Sequence, residues 1–169
     1  MKEYYTTQYS SDTDSFQFTT DRKYQYSLKI DHDPLFFPYD CPRCNKLKEI
    51  SLTTIKAPDK RKYIDEKVKN TVLLQIEKIV NQDCNGVYFY CADDDIACRK
   101  SREKIFSIWT KELKDKGYIV ETKSIFNNNE AQEVNYYLIY HPKCQETVTV
   151  DFYSCKTCPP SINDTRDYC

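Results

Sequence analysis

The sequence predicts an α+β fold: a two-layer sandwich in which two helices cover one face of a mixed sheet that closes in a C-terminal antiparallel meander. Three observations predict it. Segments alternating apolar and polar residues recur along the chain, two longer segments carry apolar residues at helical spacing, and the helices fall between strands. At 169 residues the chain has the size of one domain.

Residues 1–22 are rich in Ser, Thr, Tyr and Gln without helical period and are expected as a flexible arm. Within them Tyr4, Tyr5, Phe16 and Phe18 could add a short edge strand. The domain proper is expected over 23–158, followed by a tail over 159–169. Tyr24, Tyr26, Leu28 and Ile30 alternate with polar residues as a half-buried strand does. The proline-broken segment from Asp33 to Pro38 leads into Cys41-Pro42-Arg43-Cys44, and Ile50 to Ile55 reads as a second strand.

Pro58 and Asp59 suit a helix start, and Ile64, Val68, Val72, Ile76, Ile79 and Val80 follow at helical spacing. Val87 to Cys91 reads as a buried strand. Asp93, Asp94 and Asp95 then lead into a second helix with Ile105, Phe106, Trp109 and Leu113 on one face. Its acidic start, basic last turns and following Gly117 complement the helix dipole and a left-handed cap. Strands over 118–123, 134–140 and 147–152 complete the meander.

Net charge is −1, the pI is near 6.1, and arginine appears only at positions 22, 43, 61, 99, 102 and 166. That balance argues against a dedicated basic groove, so nucleic acid is a poor fit and a protein partner or self-assembly a better one. No apolar run spans a bilayer, which argues against a membrane, and no secretory leader is visible. A reducing intracellular compartment, cytoplasm or nucleus, is therefore expected, with packaging in a virion as the other setting. The abundance of Lys, Asn, Ile and Tyr fits an A/T-rich genome such as that of a protist or a large DNA virus. With only two glycines, left-handed turns must fall to other residues, as at Asn127-Asn128-Asn129.

Nine cysteines carry the main chemistry. Cys41/Cys44 and Cys155/Cys158 form two C-x2-C knuckles, each able to aim two thiolates at one ion. Together they supply the four tetrahedral ligands of a structural Zn²⁺. His141 and Cys144, an H-x2-C element, compete for the same ion or build a second site with Cys84, Cys91 or Cys98. Disulfides are the alternative; nine is odd, and Cys169 is then the natural leftover, free to cross-link two copies. Cys91, on an apolar strand, also reads as a core thiol.

Other features are weaker. Asp93-Asp94-Asp95 resembles a Mg²⁺ cluster, but an N-cap with dipole complementation accounts for it. His32 between Asp31 and Asp33 reads as a solvated loop histidine. A Cys–His nucleophile pair through His141 has no flanking signature. Tyr88, Tyr90, Tyr136, Tyr137 and Tyr140 put rings on both faces of the sheet, suiting an interface or a filled sheet face. In four residues only, Cys41-Pro42-Arg43-Cys44 resembles the dithiol of the thioredoxin and glutaredoxin group, which implies thiol–disulfide exchange. No catalytic fingerprint accompanies these features. The sequence leans to a zinc-stabilised interaction or assembly domain, with the oxidoreductase and a nucleic-acid-binding zinc module as alternatives.

Overall fold

A computed structural model of the chain describes residues 2–31, 48–59, 65–82, 87–90, 96–127 and 132–145. Its strands are β1 (Gln8–Ser10), β2 (Ser15–Thr19), β3 (Gln25–Asp31), β4 (Lys48–Lys56), β5 (Val87–Tyr90), β6 (Ile119–Asn127) and β7 (Gln132–Tyr140). Helix α1 (Glu66–Gln82) lies between β4 and β5, and α2 (Ile96–Asp115) between β5 and β6. The strands form one seven-stranded sheet in the order β1-β2-β3-β4-β5-β7-β6. Among the described strands only β4 and β5 run parallel. Parallel neighbours need a long crossover, and α1 supplies it.

The registers show which side chains share a face. Phe18 pairs with Tyr26, Leu28 with Leu52, Ile30 with Ile50, and Val120 with Ile139. These residues are buried in one cluster with Val68, Val72, Ile76 and Ile79 of α1 and Phe106, Trp109 and Leu113 of α2. Both helices therefore cover the same face, and Tyr137 on that face donates its hydroxyl to the Glu103 carbonyl of α2 at 3.1 Å. Full burial of each large apolar side chain is worth about 1.5–3 kcal/mol, so this cluster dominates folding. Ion pairs join the helices, Lys69 to Glu112 at 2.9 Å and Lys116 to Glu77.

Each helix has one well-defined cap. The Asp65 carboxylate accepts the Val68 N–H at 2.7 Å, which is N-cap to N3 bonding. Helix α1 thus begins after Asp65; Ile64, expected on its apolar face, lies outside the described residues. At the other end of the helix layer, Gly117 takes φ +90°. Its N–H donates to the Lys114 carbonyl at 2.9 Å and that of Tyr118 to Leu113 at 3.1 Å. This is a Schellman motif, and the glycine expected at the C′ position occupies it.

The N-terminal arm carries the strand that Phe16 and Phe18 offered, and a second beside it. It supplies β1 and β2, and Tyr5 and Phe18 are buried in the main cluster. Aromatic alternation in Phe16 and Phe18 outweighs the polar composition around them. The turns use non-glycine residues at positive φ, Asp14 at 40° and Lys23 at 68°. Strands β6 and β7 pair antiparallel from Ile119↔Tyr140 to Asn127↔Gln132, so they run beyond the strands expected over 118–123 and 134–140. The meander's third strand, over 147–152, lies outside the described residues.

The second face of the sheet is buried at its centre as well. Glu49, Leu138 and Tyr140 point away from the helices by register, and each is less than a tenth exposed. Tyr140 donates its hydroxyl to Glu121 at 2.6 Å.

Candidate functional site

The most distinctive side-chain arrangement is where residues 2–7 lie against α1. Helix α1 is apolar on its sheet side, but Asn70, Thr71 and Gln75 place polar groups on its buried surface. These groups meet that segment. Asn70 Nδ2 donates to the Glu3 carbonyl at 3.2 Å, and the Tyr5 N–H donates to Thr71 Oγ1 at 2.8 Å. Gln75 Nε2 donates to Thr7 Oγ1 at 3.3 Å. Thr71 is fully used, because its hydroxyl also donates to the Lys67 carbonyl at 2.7 Å. Lys2 pairs with Glu112 of α2, which also takes Lys69.

Tyr5 anchors this seam. Its ring stacks on Phe18 with centroids 5.9 Å apart, and Lys67 Nζ stands 4.4 Å from the ring centroid. The hydroxyl reaches two carboxylates, Asp65 at 3.0 Å and Asp21 at 3.4 Å. Burial first, then the bond to Asp65 and the nearby negative charge, push the Tyr5 hydroxyl up to about 12. The ring ladder continues from Phe18 to Tyr26 and Tyr24, whose hydroxyl donates to Asp59 at 2.5 Å. Tyr4, the neighbour of Tyr5 in the chain, is 42% exposed, so the segment alternates one ring in and one out.

The seam is not fully satisfied. Asn70 and Gln75 are 5% and 3% exposed, and their amide oxygens Oδ1 and Oε1 find no hydrogen-bond donor among the described residues. Each amide therefore faces the segment with its donor half engaged and its acceptor half left over.

Most residues singled out from the sequence fall outside the described ones. These are Cys41, Cys44, Cys155, Cys158, His32, the Asp93 to Asp95 triplet, Cys84, Cys91 and Cys169. Cys98 falls within α2. His141 and Cys144 frame a 3-10 turn, Pro142–Cys144, directly after β7. His141 is committed there: its Nδ1 accepts the Lys143 N–H at 3.1 Å, and its ring meets Tyr118 edge to face at 5.8 Å. Cys144 is 1% exposed and disulfide-bonded, so in this state its sulfur is no thiolate ligand. Among the described residues no three His, Cys, Asp or Glu side chains gather as a metal site, and no helix is long and apolar enough to cross a membrane.

Tyr137 and Tyr140 lie on opposite faces of the sheet, as the alternation implied, but both are buried. They fill the sheet faces and offer no stacking surface. The seam residues Tyr5, Asp65, Asn70, Thr71 and Gln75 were not singled out from the sequence. The available signal was the polar trio set within an apolar helix pattern. No protein-family model matches the chain, and no curated protein or solved structure is significantly similar to it.

Proposed function

We propose that the protein is an interaction domain without catalytic activity, which takes up an extended segment of a protein partner along α1. One observation supports this most: backbone groups of residues 3 and 5 are met by side chains of α1. Bonding of this kind recognises extended backbone with little regard to sequence, while a pocket for one ring adds selectivity. The bound segment here belongs to the same chain, and its bonds to Asn70 and Thr71 support this reading.

In the same reading Cys41, Cys44, Cys155 and Cys158 hold a structural Zn²⁺ that ties the first third of the chain to its C-terminal segment. Their spacing supports it. Cys144, oxidised, stands outside that ligand set. Metal analysis with thiol titration checks the zinc: Cys41→Ser and Cys155→Ser should each release it. No bound zinc, or zinc unaffected by both substitutions, removes this part of the proposal.

The interaction itself is tested on an immobilised peptide array. Binding that is weakened by Thr71→Val supports it. An array without binders, or binders indifferent to Thr71→Val, overturns it. Disulfide reductase activity lost in Cys41→Ser would support the oxidoreductase reading instead.

A further inference from the structure

We infer that residues 2–7 are a built-in occupant of the α1 seam, displaced by an extended partner segment that carries a tyrosine at the Tyr5 position. This rests on the interaction reading above and adds the partner's chemistry and the competition for the site.

Release of residues 2–7 breaks no strand pairing, because β1 begins at Gln8. Among these six residues only Tyr5 is buried. Among the described residues the rest of the hold is three polar bonds, the Tyr5 hydroxyl's bonds to Asp65 and Asp21, the Lys67 cation over its ring, and the Lys2 to Glu112 pair. Such a segment opens locally, withdrawing only Tyr5 from the main cluster. The Tyr5 pocket specifies its guest: Phe18 takes the ring face, and Asp65 and Asp21 both accept from the hydroxyl. A tyrosine satisfies that pocket, whereas a phenylalanine takes from Asp65 Oδ2 the hydroxyl it accepts from.

The leftover acceptors decide which occupant can win. The tethered segment holds the seam at high effective concentration, so a competitor needs bonds that the tether does not make. Asn70 Oδ1 and Gln75 Oε1 offer two. A partner segment with N–H groups opposite both would engage each amide through donor and acceptor together. A second copy's residues 2–7 would repeat the same bonds and the same two omissions, and would lose the tether's advantage. The favoured occupant is therefore a different protein.

The test uses the full chain and a fluorescein-labelled peptide of residues 2–8 as probe. Tyr5→Ala weakens the tethered occupant, so this variant should bind the probe about tenfold or more tightly than the wild type does, by the fraction of open seam. A probe with its own Tyr5→Ala change should not bind. Equal affinity of both proteins, or equal binding of both probes, overturns the inference. So does wild-type self-association that the probe dissolves, which would make a second copy the occupant.

Should Tyr5→Ala fail to fold, amide exchange of the wild type decides. The Tyr5 amide should exchange by local opening, well ahead of the Leu28 and Ile139 amides; exchange only through global unfolding overturns the inference. Array binders lost on Thr71→Val but unaffected by the residue 2–8 peptide would leave the interaction reading standing and remove this one.

Discussion

Asp65 divides its carboxylate between α1 and Tyr5: Oδ1 accepts the Val68 N–H at 2.7 Å, and Oδ2 accepts from the Tyr5 hydroxyl at 3.0 Å. One residue thus starts the helix and fastens the segment laid against it. Helix formation and occupation of the seam are coupled through this group.

Asp65→Ala should lower stability by about 1–2 kcal/mol, the range of a lost N-cap. Asp65→Asn, which still caps, should recover most of it. In denaturant titrations, Asp65→Ala and Tyr5→Phe should show a coupling of about 0.5 kcal/mol or more, because they remove the same bond. Strict additivity would mean that the two oxygens act independently.

Alkaline pH provides a second handle. The folded state holds Tyr5 protonated up to about 12, above the ordinary tyrosine value of 10.0. Above the ordinary value the unfolded chain loses this proton first, so stability falls as pH rises from about 10 through about 12. The contribution is complete below pH 10. Measured between pH 9 and pH 11, the wild type should lose stability that Tyr5→Phe does not lose. An identical decline in both would place the titrating group elsewhere.

Gly117 should tolerate substitution poorly, although space is not the reason. A Cβ there would meet nothing within 4 Å, but φ is +90°. Gly117→Ala should therefore cost about 1 kcal/mol through backbone strain alone, and Gly117→Asn less, since asparagine enters left-handed conformations more readily. Thermal unfolding measures both.

These features were unequally legible in the sequence. Strands β3, β4 and β7 and helix α2 follow from alternation and helical spacing, and Gly117 marks its cap through a residue type with one outstanding conformational use. The start of α1 was less visible: Pro58 and Asp59 suit a helix start, and only three-dimensional bonding selects Asp65. Of the N-terminal strands only a short edge strand, offered by Tyr4, Tyr5, Phe16 and Phe18, was legible among polar neighbours. Phe16 and Phe18 find their pairing partners in β3, a non-local contact that local composition does not reveal. The seam was harder still. Asn70, Thr71 and Gln75 look like solvated positions until residues 2–7 are laid over them. The burial of Leu138 and Tyr140 on the face away from the helices was likewise invisible to an expectation of two layers.

Cys144 should be oxidised in the purified protein. Thiol titration under denaturing, non-reducing conditions should count at least two fewer thiols than the nine cysteines supply. Cys144→Ser, or reduction, should lower stability by about 2–4 kcal/mol. A full count of free thiols would contradict the disulfide.

The claim that α1 is a docking surface for extended segments is tested most directly by amide chemical-shift mapping. The full-length Tyr5→Ala protein is titrated with the peptide of residues 2–8. Shifts concentrated at Asp65, Asn70, Thr71 and Gln75, saturating with peptide, are the predicted result. No shifts, or shifts confined to residues away from α1, would contradict the account.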